Sequence, residues 1–268
     1  VDNTTVNQKL ISLLDTSFII FILLEFIAIY TSLKLTSWII KPVRESFEKQ
    51  KQFIYDASHE LKTPLSVITA SAEMLENNPQ EIKWINNIKN ESERMNNLIV
   101  QMLDLAKSEN INKQQEYSIN NLSKITEKVV LTFESIIYEK GLKIKYEIEK
   151  DINFKCESED IKELISILID NAIKHSYNSS KITVKLYREK DNIILEVKNR
   201  GDSIPKEEQE KIFERFYRID KSRNRDENRY GLGLSIAKNI VTNHNGKILV
   251  DSLHGYTTFK VIFKQNLK

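Results

Sequence analysis

The chain has 268 residues, long enough for one large domain or two modest ones with a small extra element. Its 40 Lys and Arg nearly balance 38 Asp and Glu, for a net charge of +2, so nucleic acid has no electrostatic claim as a partner. A single cysteine, Cys156, excludes an internal disulfide framework and fits a reducing compartment. The first residue is Val1 rather than Met, consistent with a truncated N-terminus, and residues 1–15 are read as a short extracytoplasmic segment.

The first element departs from soluble composition. Thr16 to Leu33, TSFIIFILLEFIAIYTSL, is apolar except for Glu25 and a few hydroxyls. A helix of that length reaches across a hydrocarbon core of about 30 Å. Lys34, Lys41 and Arg44 follow it, with Trp38 at interface depth, which places the C-terminal side in the cytoplasm. We therefore expect a transmembrane helix and basic joint over residues 16–40, in a cell membrane. A buried core helix is the alternative. Glu25, an acid at mid-span, is read either as a sensing group or as a protonated helix–helix contact.

Two long helical patterns occupy residues 41–110. Ile54, Ser58, Leu61, Leu65, Ile68, Ala72 and Leu75 step alternately by four and three, and Ile85, Ile88, Ser92, Met95, Ile99, Met102 and Ala106 do so again. Asn-Asn-Pro-Gln at 77–80 supplies a turn between them. Two such helices form an antiparallel hairpin that cannot enclose a core alone, so a homodimeric four-helix bundle is its natural completion. The joint before the hairpin is short, so the span is expected to run directly into the first hairpin helix.

The stretch FIYDASHELKTPLSVI, Phe53 to Ile68, lies in the first of these helices. His59 falls one position outside the seam, so it faces outward. Thr63 at i+4 shares its face. Glu60 is adjacent and can hold the imidazole in one tautomer, leaving the other nitrogen as nucleophile. Pro64 has no N–H, so the carbonyl of Glu60 loses its helical partner and a bend is expected there. On these residues alone, a solvated surface histidine in a kinked helix fits as well.

After a polar linker, residues 117–268 read as mixed α and β. Helices are expected over Asn121–Glu139, closed by Gly141, over Ser158–Ser176 and from Leu232 to about His244. Strands are expected at LKIKYEI, KITVKLYRE, NIILEVKN, KILVDSL and TTFKVIFK, several of them alternating. This predicts a sheet with helices on one face, a two-layer α+β sandwich. Gly231 and Gly233 open a helix, where free N–H groups point at an anion. His175, His244 and His254 have no ligand-like spacing and are read as structural or surface residues.

SHELKTPL resembles the H-box of bacterial membrane-bound sensor histidine kinases of two-component systems, with a HisKA-type dimerisation and phosphoacceptor domain and a GHKL-type ATP-binding domain. The resemblance implies that His59 takes the γ-phosphoryl of ATP and passes it to an aspartate of a cognate response regulator. It further implies Glu60 as general base and Thr63 as the residue that orients water when the kinase dephosphorylates its regulator. Four more boxes follow in family order, so that the resemblance covers nearly all of the chain after the span. LIDNAIKHS resembles the N-box, implying Asn171 as the Mg²⁺ ligand and Lys174 as a phosphate contact. VKNRGDSIP resembles the G1 box, with Gly201 and Ile204 in place. It departs where Asn199 replaces the usual adenine-binding Asp and Ser203 replaces the second glycine. IFERFYRID resembles the F-box, with Phe213 and Phe216 beside the nucleotide and Arg215 and Arg218 steering the triphosphate, and the charged segment KSRNRDENRY reads as a lid. GLGLSIAKNI resembles the G2 box, implying that Gly231, Leu232, Gly233 and Leu234 line the phosphates, and HGYTTF completes the set with Thr258 as a nucleotide contact. A gyrase-type hydrolase would need a glutamate where Ile167 stands. The remaining alternative is a membrane-anchored binding or phosphatase module whose altered G1 box no longer takes ATP.

Overall fold

The structure is a computed structural model that describes residues 3–77, 82–109, 117–219 and 230–264. The expected turn at 77–80, the linker after residue 109 and the lid after residue 219 lie wholly or mostly outside the described residues. The chain divides into two units, residues 1–58 and 59–268.

The first unit is the N-terminal part of helix α1 (Asn3–Asn77). Its apolar run is uncovered: Phe18, Phe26 and Leu33 are each about two-thirds exposed, at 65%, 70% and 67%. Its most apolar window has a mean hydropathy of 2.1, and among the described residues α1 is the one helix long and apolar enough to cross a membrane. Thr16 and Thr31 turn their hydroxyls back onto the carbonyls of Ser12 and Ile27, both at 2.9 Å. That leaves neither hydroxyl seeking a partner in an apolar surrounding.

In the second unit, the C-terminal part of α1 is followed by α2 (Ile82–Glu109). Pro64 lies within α1 without ending it and is buried. Seam positions Leu65, Ile85 and Ile99 remain 53%, 50% and 44% exposed in the single chain. Leu98 and Leu105, one position before the seam residues Ile99 and Ala106, are instead fully buried. The hairpin pattern thus accounts for one face of α2, and a second apolar face has a different partner, the α/β domain that follows, through its helix at Gly233–Asn243.

That domain begins with β1 (Ser118–Asn121), which pairs antiparallel with β3 (Asn153–Cys156) in a two-stranded ribbon. Helix α3 (Leu122–Glu139) is capped by Asn121, whose Oδ1 accepts the Lys124 N–H at 3.0 Å, and ends before Gly141 at φ +66°. The main sheet contains β2 (Lys143–Ile148), β4 (Lys181–Glu189), β5 (Asn192–Arg200), β6 (Lys247–Leu253) and β7 (Tyr256–Lys264), in the order β2-β4-β5-β7-β6. Only β2 and β4 run parallel. Helices α3, α4 (Ser158–Lys174) and α5 (Gly233–Asn243) pack together against the sheet.

Strand periodicity builds the core. Val184, Val197, Phe259 and Val250 form one register row, and Leu186, Leu195, Val261 and Ile248 form the next. In both rows the β4, β5 and β7 members are at most 1% exposed. The same face continues into a polar row, Asn199, Thr257 and Ser252, all buried. The sandwich is therefore two-layered, with an apolar floor and a polar end.

Candidate functional site

His59, Glu60 and Thr63 lie together on α1. His59 and Thr63 are exposed and Glu60 is half-buried. Thr63 donates its hydroxyl to the His59 backbone carbonyl at 3.4 Å, a long bond, and its i+4 spacing puts it on the same face as His59. An exposed imidazole with a carboxylate next to it is accessible to a large reactant, which a buried one would not be.

The polar end of the sheet faces the end of α4. Asn199, 2% exposed, donates its Nδ2 to the His175 carbonyl at 3.2 Å. A carbonyl accepts only a donor, so this bond orients the amide with Nδ2 towards His175 and Oδ1 away from it. Beside it, Ser252 and Thr257 share a hydrogen bond of 2.7 Å, and Ser252 Oγ accepts the Ile204 N–H at 2.8 Å. Gly201 donates its N–H to the Gly255 carbonyl at 3.0 Å, and a Cβ built on it would lie 1.8 Å from the His175 oxygen. No side chain fits there. Ser203, the departure from the glycine pattern, accepts the Gly255 N–H at 3.0 Å and so ties the G1 loop to the β6–β7 turn. Asp202 accepts a 2.7 Å hydrogen bond from Tyr177, and burial is a lesser cause of that phenol's upward shift than this bond.

Thr258 is not brought to this row. It pairs in register with Lys198 and Asp251 on the opposite face of the sheet. Because side chains alternate, the residue that shares a face with Asn199 is Thr257, one position earlier. The assignment of Thr258 is corrected on that ground. Thr257 was legible only with the strand register in hand.

On α4, Asn171 is half-buried and Lys174 is exposed, three residues apart. Lys174 is held by Asp170 in an i,i+4 ion pair. Phe213, in a short 3₁₀ turn at Lys211–Phe213, is buried edge-on against Phe259, with ring centroids 6.3 Å apart. Phe216 adopts φ +58°, and its N–H donates to the Gly231 carbonyl at 3.1 Å. Gly231, at φ +70°, would place a Cβ 2.7 Å from the Tyr217 oxygen. These contacts join the F-box to the G2 box. Arg215 forms an ion pair with Glu109 at the end of α2, and Arg218 is half-buried.

Helix α5 opens at Gly233 with no side-chain cap on its first turn. A Cβ at Gly233 would meet only Ile167, at an ordinary 3.4 Å. Leu232 is buried beneath this turn and Leu234 half-buried. An uncapped helix start beside glycines offers N–H groups to an anion.

Tyr230, just before Gly231, is buried and donates its hydroxyl to the Arg94 carbonyl of α2 at 2.6 Å. Burial pushes its phenol up; Arg94 opposes this, while Glu60 and Glu91 add to it. The charge of Glu60 thus reaches the residue that leads into the G2 box. Tyr230 was not singled out from the sequence, because its partner is a backbone carbonyl 136 residues away.

Residues 156–267 match the family model described as histidine kinase-, DNA gyrase B-, and HSP90-like ATPase, and residues 49–111 match the His Kinase A (phospho-acceptor) domain. The chain is 37% identical over 217 residues to the sensor protein DltS of Streptococcus agalactiae, covering 81% of this chain and 55% of that protein. It is 35% identical over 235 residues to the signal transduction histidine-protein kinase ArlS of Staphylococcus aureus, covering 82% of this chain and 50% of that one. The chain therefore spans about half the length of these relatives. Among solved structures, the Acinetobacter baumannii histidine kinase AdeS aligns with a TM-score of 0.64 at 22% identity, covering 78% of this chain and 98% of that one. Histidine kinase ThkA, in complex with response regulator protein TrrA, aligns with a TM-score of 0.68 at 24% identity, covering 83% and 64%. Both likenesses concern the fold.

Proposed function

The chain belongs to the sensor histidine kinases, and we propose that it is an active, ATP-dependent protein-histidine kinase that phosphorylates His59 and passes the phosphoryl group to an aspartate of a cognate response regulator. Residues 1–15 form an extracytoplasmic segment, 16–40 a membrane helix and basic joint, 41–110 the dimerising phosphotransfer hairpin and 117–268 the cytoplasmic ATP-binding domain. A second copy covers the exposed seam residues Leu65, Ile85 and Ile99 in a four-helix bundle.

The observation that carries the reading is the orientation of Asn199. Its Nδ2 is taken by the His175 carbonyl, so its Oδ1 accepts from the 6-amino group of adenine as the family's aspartate does. This favours an ATP-using kinase over a module that has lost its nucleotide. Thr257 and Ser252 extend the polar floor beside the base. The uncapped start of α5 at Gly231 to Leu234 receives phosphate oxygens. Mg²⁺ binds proteins through one or two oxygens while keeping several waters, and the half-buried amide oxygen of Asn171 fits that demand. When bound, the ion neutralises charge on the phosphates.

In the reaction, a ring nitrogen of His59 attacks the γ-phosphorus. The N–P bond forms, the bond between the γ-phosphorus and the bridging oxygen breaks, and ADP leaves. Glu60 takes the imidazole proton. Thr63 positions water in the reverse, regulator-dephosphorylating direction. Incubating the chain with γ-labelled ATP beside His59→Ala and Asn171→Ala tests the reading: acid-labile label on the parent alone supports it, and label that survives His59→Ala overturns it.

A further inference from the structure

Helix α2 carries a second stripe beside the hairpin seam. Arg94, Leu98, Leu105 and Ser108 follow one another at helical spacing on one face, and the last three are buried. The ATPase domain is held at both ends of this stripe. At one end, Tyr230 donates its hydroxyl to the Arg94 carbonyl at 2.6 Å, and the Arg94 guanidinium lies 5.9 Å from the centre of its ring. At the other, Asn239 and Asn243 of α5 donate to Ser108 Oγ at 3.3 Å and to the Ser108 carbonyl at 2.7 Å, and Arg215 pairs with Glu109. The two ends are about 22 Å apart along a helix that rises ~1.5 Å per residue. One anchor would leave the domain a pivot; two set its orientation.

Both anchors stand one residue from the turn that opens α5. The Phe216 N–H donates to the Gly231 carbonyl at 3.1 Å. Arg215 immediately precedes Phe216, and Tyr230 immediately precedes Gly231. Phe216 is held at φ +58° and Gly231 at φ +70°. A bulky residue keeps left-handed backbone only where its surroundings over-determine it. The junction is therefore a stiff link, tied to α2 on each side, through which the helix sets the direction of the start of α5.

We infer that Arg215 and Tyr230 are positioning residues: held by Glu109 and Arg94 of α2, they set the orientation in which the start of α5 is presented to His59, and Arg215 serves the helix rather than the triphosphate. Granted the kinase reading above, on which this rests, attack of His59 on the γ-phosphorus tolerates little misplacement of the two reactants. Contacts that orient the whole domain then act on turnover and leave the affinity of its site for ATP untouched. A guanidinium suits the task, because its planar fork meets a carboxylate in a defined geometry.

The test uses the full chain in detergent. Glu109→Arg sets two cations against each other, and adding Arg215→Glu restores the ion pair in the reverse sense. Docking is read without nucleotide, as the rate of modification of a thiol placed by Ser108→Cys, while the fully buried Cys156 reports unfolding of the domain itself. Turnover is read as acid-labile label at saturating γ-labelled ATP with Mg²⁺, and affinity by calorimetry with a non-hydrolysable ATP analogue. Glu109→Arg is expected to speed thiol modification and to slow labelling, each about five-fold, at unchanged affinity. Adding Arg215→Glu should return the thiol to its parental protection. Both variants share the change at position 109, so its direct effect on the thiol is common to them. A reversed pair that restores no protection overturns the inference, and so does a loss of ATP affinity in Glu109→Arg. A parent that takes no label overturns the kinase reading and this inference with it, whereas a labelled parent whose rate is indifferent to Glu109→Arg overturns the inference alone.

Discussion

The strip that carries His59 and the pocket that carries Asn199 are built on opposite plans. His59 and Thr63 sit on the surface of α1, linked to each other by one long hydrogen bond. Asn199, Gly201, Ser203, Ile204, Ser252 and Gly255 are cross-linked through backbone and side chain into one block. The contrast fits the tasks proposed for them. A phosphoryl acceptor must meet two different reactants in turn and needs access. A base-recognition pocket must hold one amide in one orientation and needs rigidity.

If that contrast is correct, the pocket is intolerant and the strip tolerant. The largest effect is expected for Gly201→Ala, whose Cβ would overlap the His175 carbonyl. The backbone must shift, with about 3 kcal/mol of destabilisation and loss of nucleotide binding, read by thermal unfolding and by a fluorescent ATP analogue. Asn199→Leu comes next. It strips the His175 carbonyl of its donor and the base of its acceptor, and should weaken ATP binding by about 2 kcal/mol, or roughly 30-fold. Calorimetry of ATP binding checks it, and unchanged affinity would remove Asn199 from the site. Tyr230→Phe deletes a buried hydroxyl while leaving the Arg94 carbonyl in a helix, at a cost to the packing of the domain on α2 of about 1 kcal/mol, seen as faster modification of a thiol placed by Ser108→Cys at the buried contact with Asn239 and Asn243. Thr63→Ala is the smallest in the fold, within about 0.5 kcal/mol by thermal unfolding. Autophosphorylation should persist in it while dephosphorylation of the regulator falls.

The same contrast explains what could be read from the sequence. The five strands of the main sheet were visible because one face is apolar and the other wet, so alternation survives in KITVKLYRE and YTTFKVIFK. Helix starts were visible where a cap announces them, as at Asn121. The ribbon of β1 and β3 was missed because four residues of mixed polarity carry no periodic signal. Thr257 was displaced to Thr258 because a motif gives order along the chain but not the facing of a strand. Leu98 and Leu105 were hidden behind a hairpin seam that explains their neighbours equally well. His244 was read as a structural or surface residue. It is buried, its Nδ1 bonds the Ile240 carbonyl at 2.8 Å, and its Nε2 accepts the Glu157 N–H at 3.2 Å, contacts that only the folded domain creates. The exposed strip, in contrast, was legible in its placement, since spacing on a single helix sets where His59, Glu60 and Thr63 stand.

The most direct test of the central claim is phosphorylation of the full chain in detergent with γ-labelled ATP and Mg²⁺, beside His59→Ala and Asn199→Leu. Acid-labile label on the parent, none on His59→Ala and a strongly raised ATP requirement in Asn199→Leu is the predicted result. An unlabelled parent whose folded ATPase domain fails to bind ATP would contradict it and leave a binding module with Asn199 as the residue that disabled it.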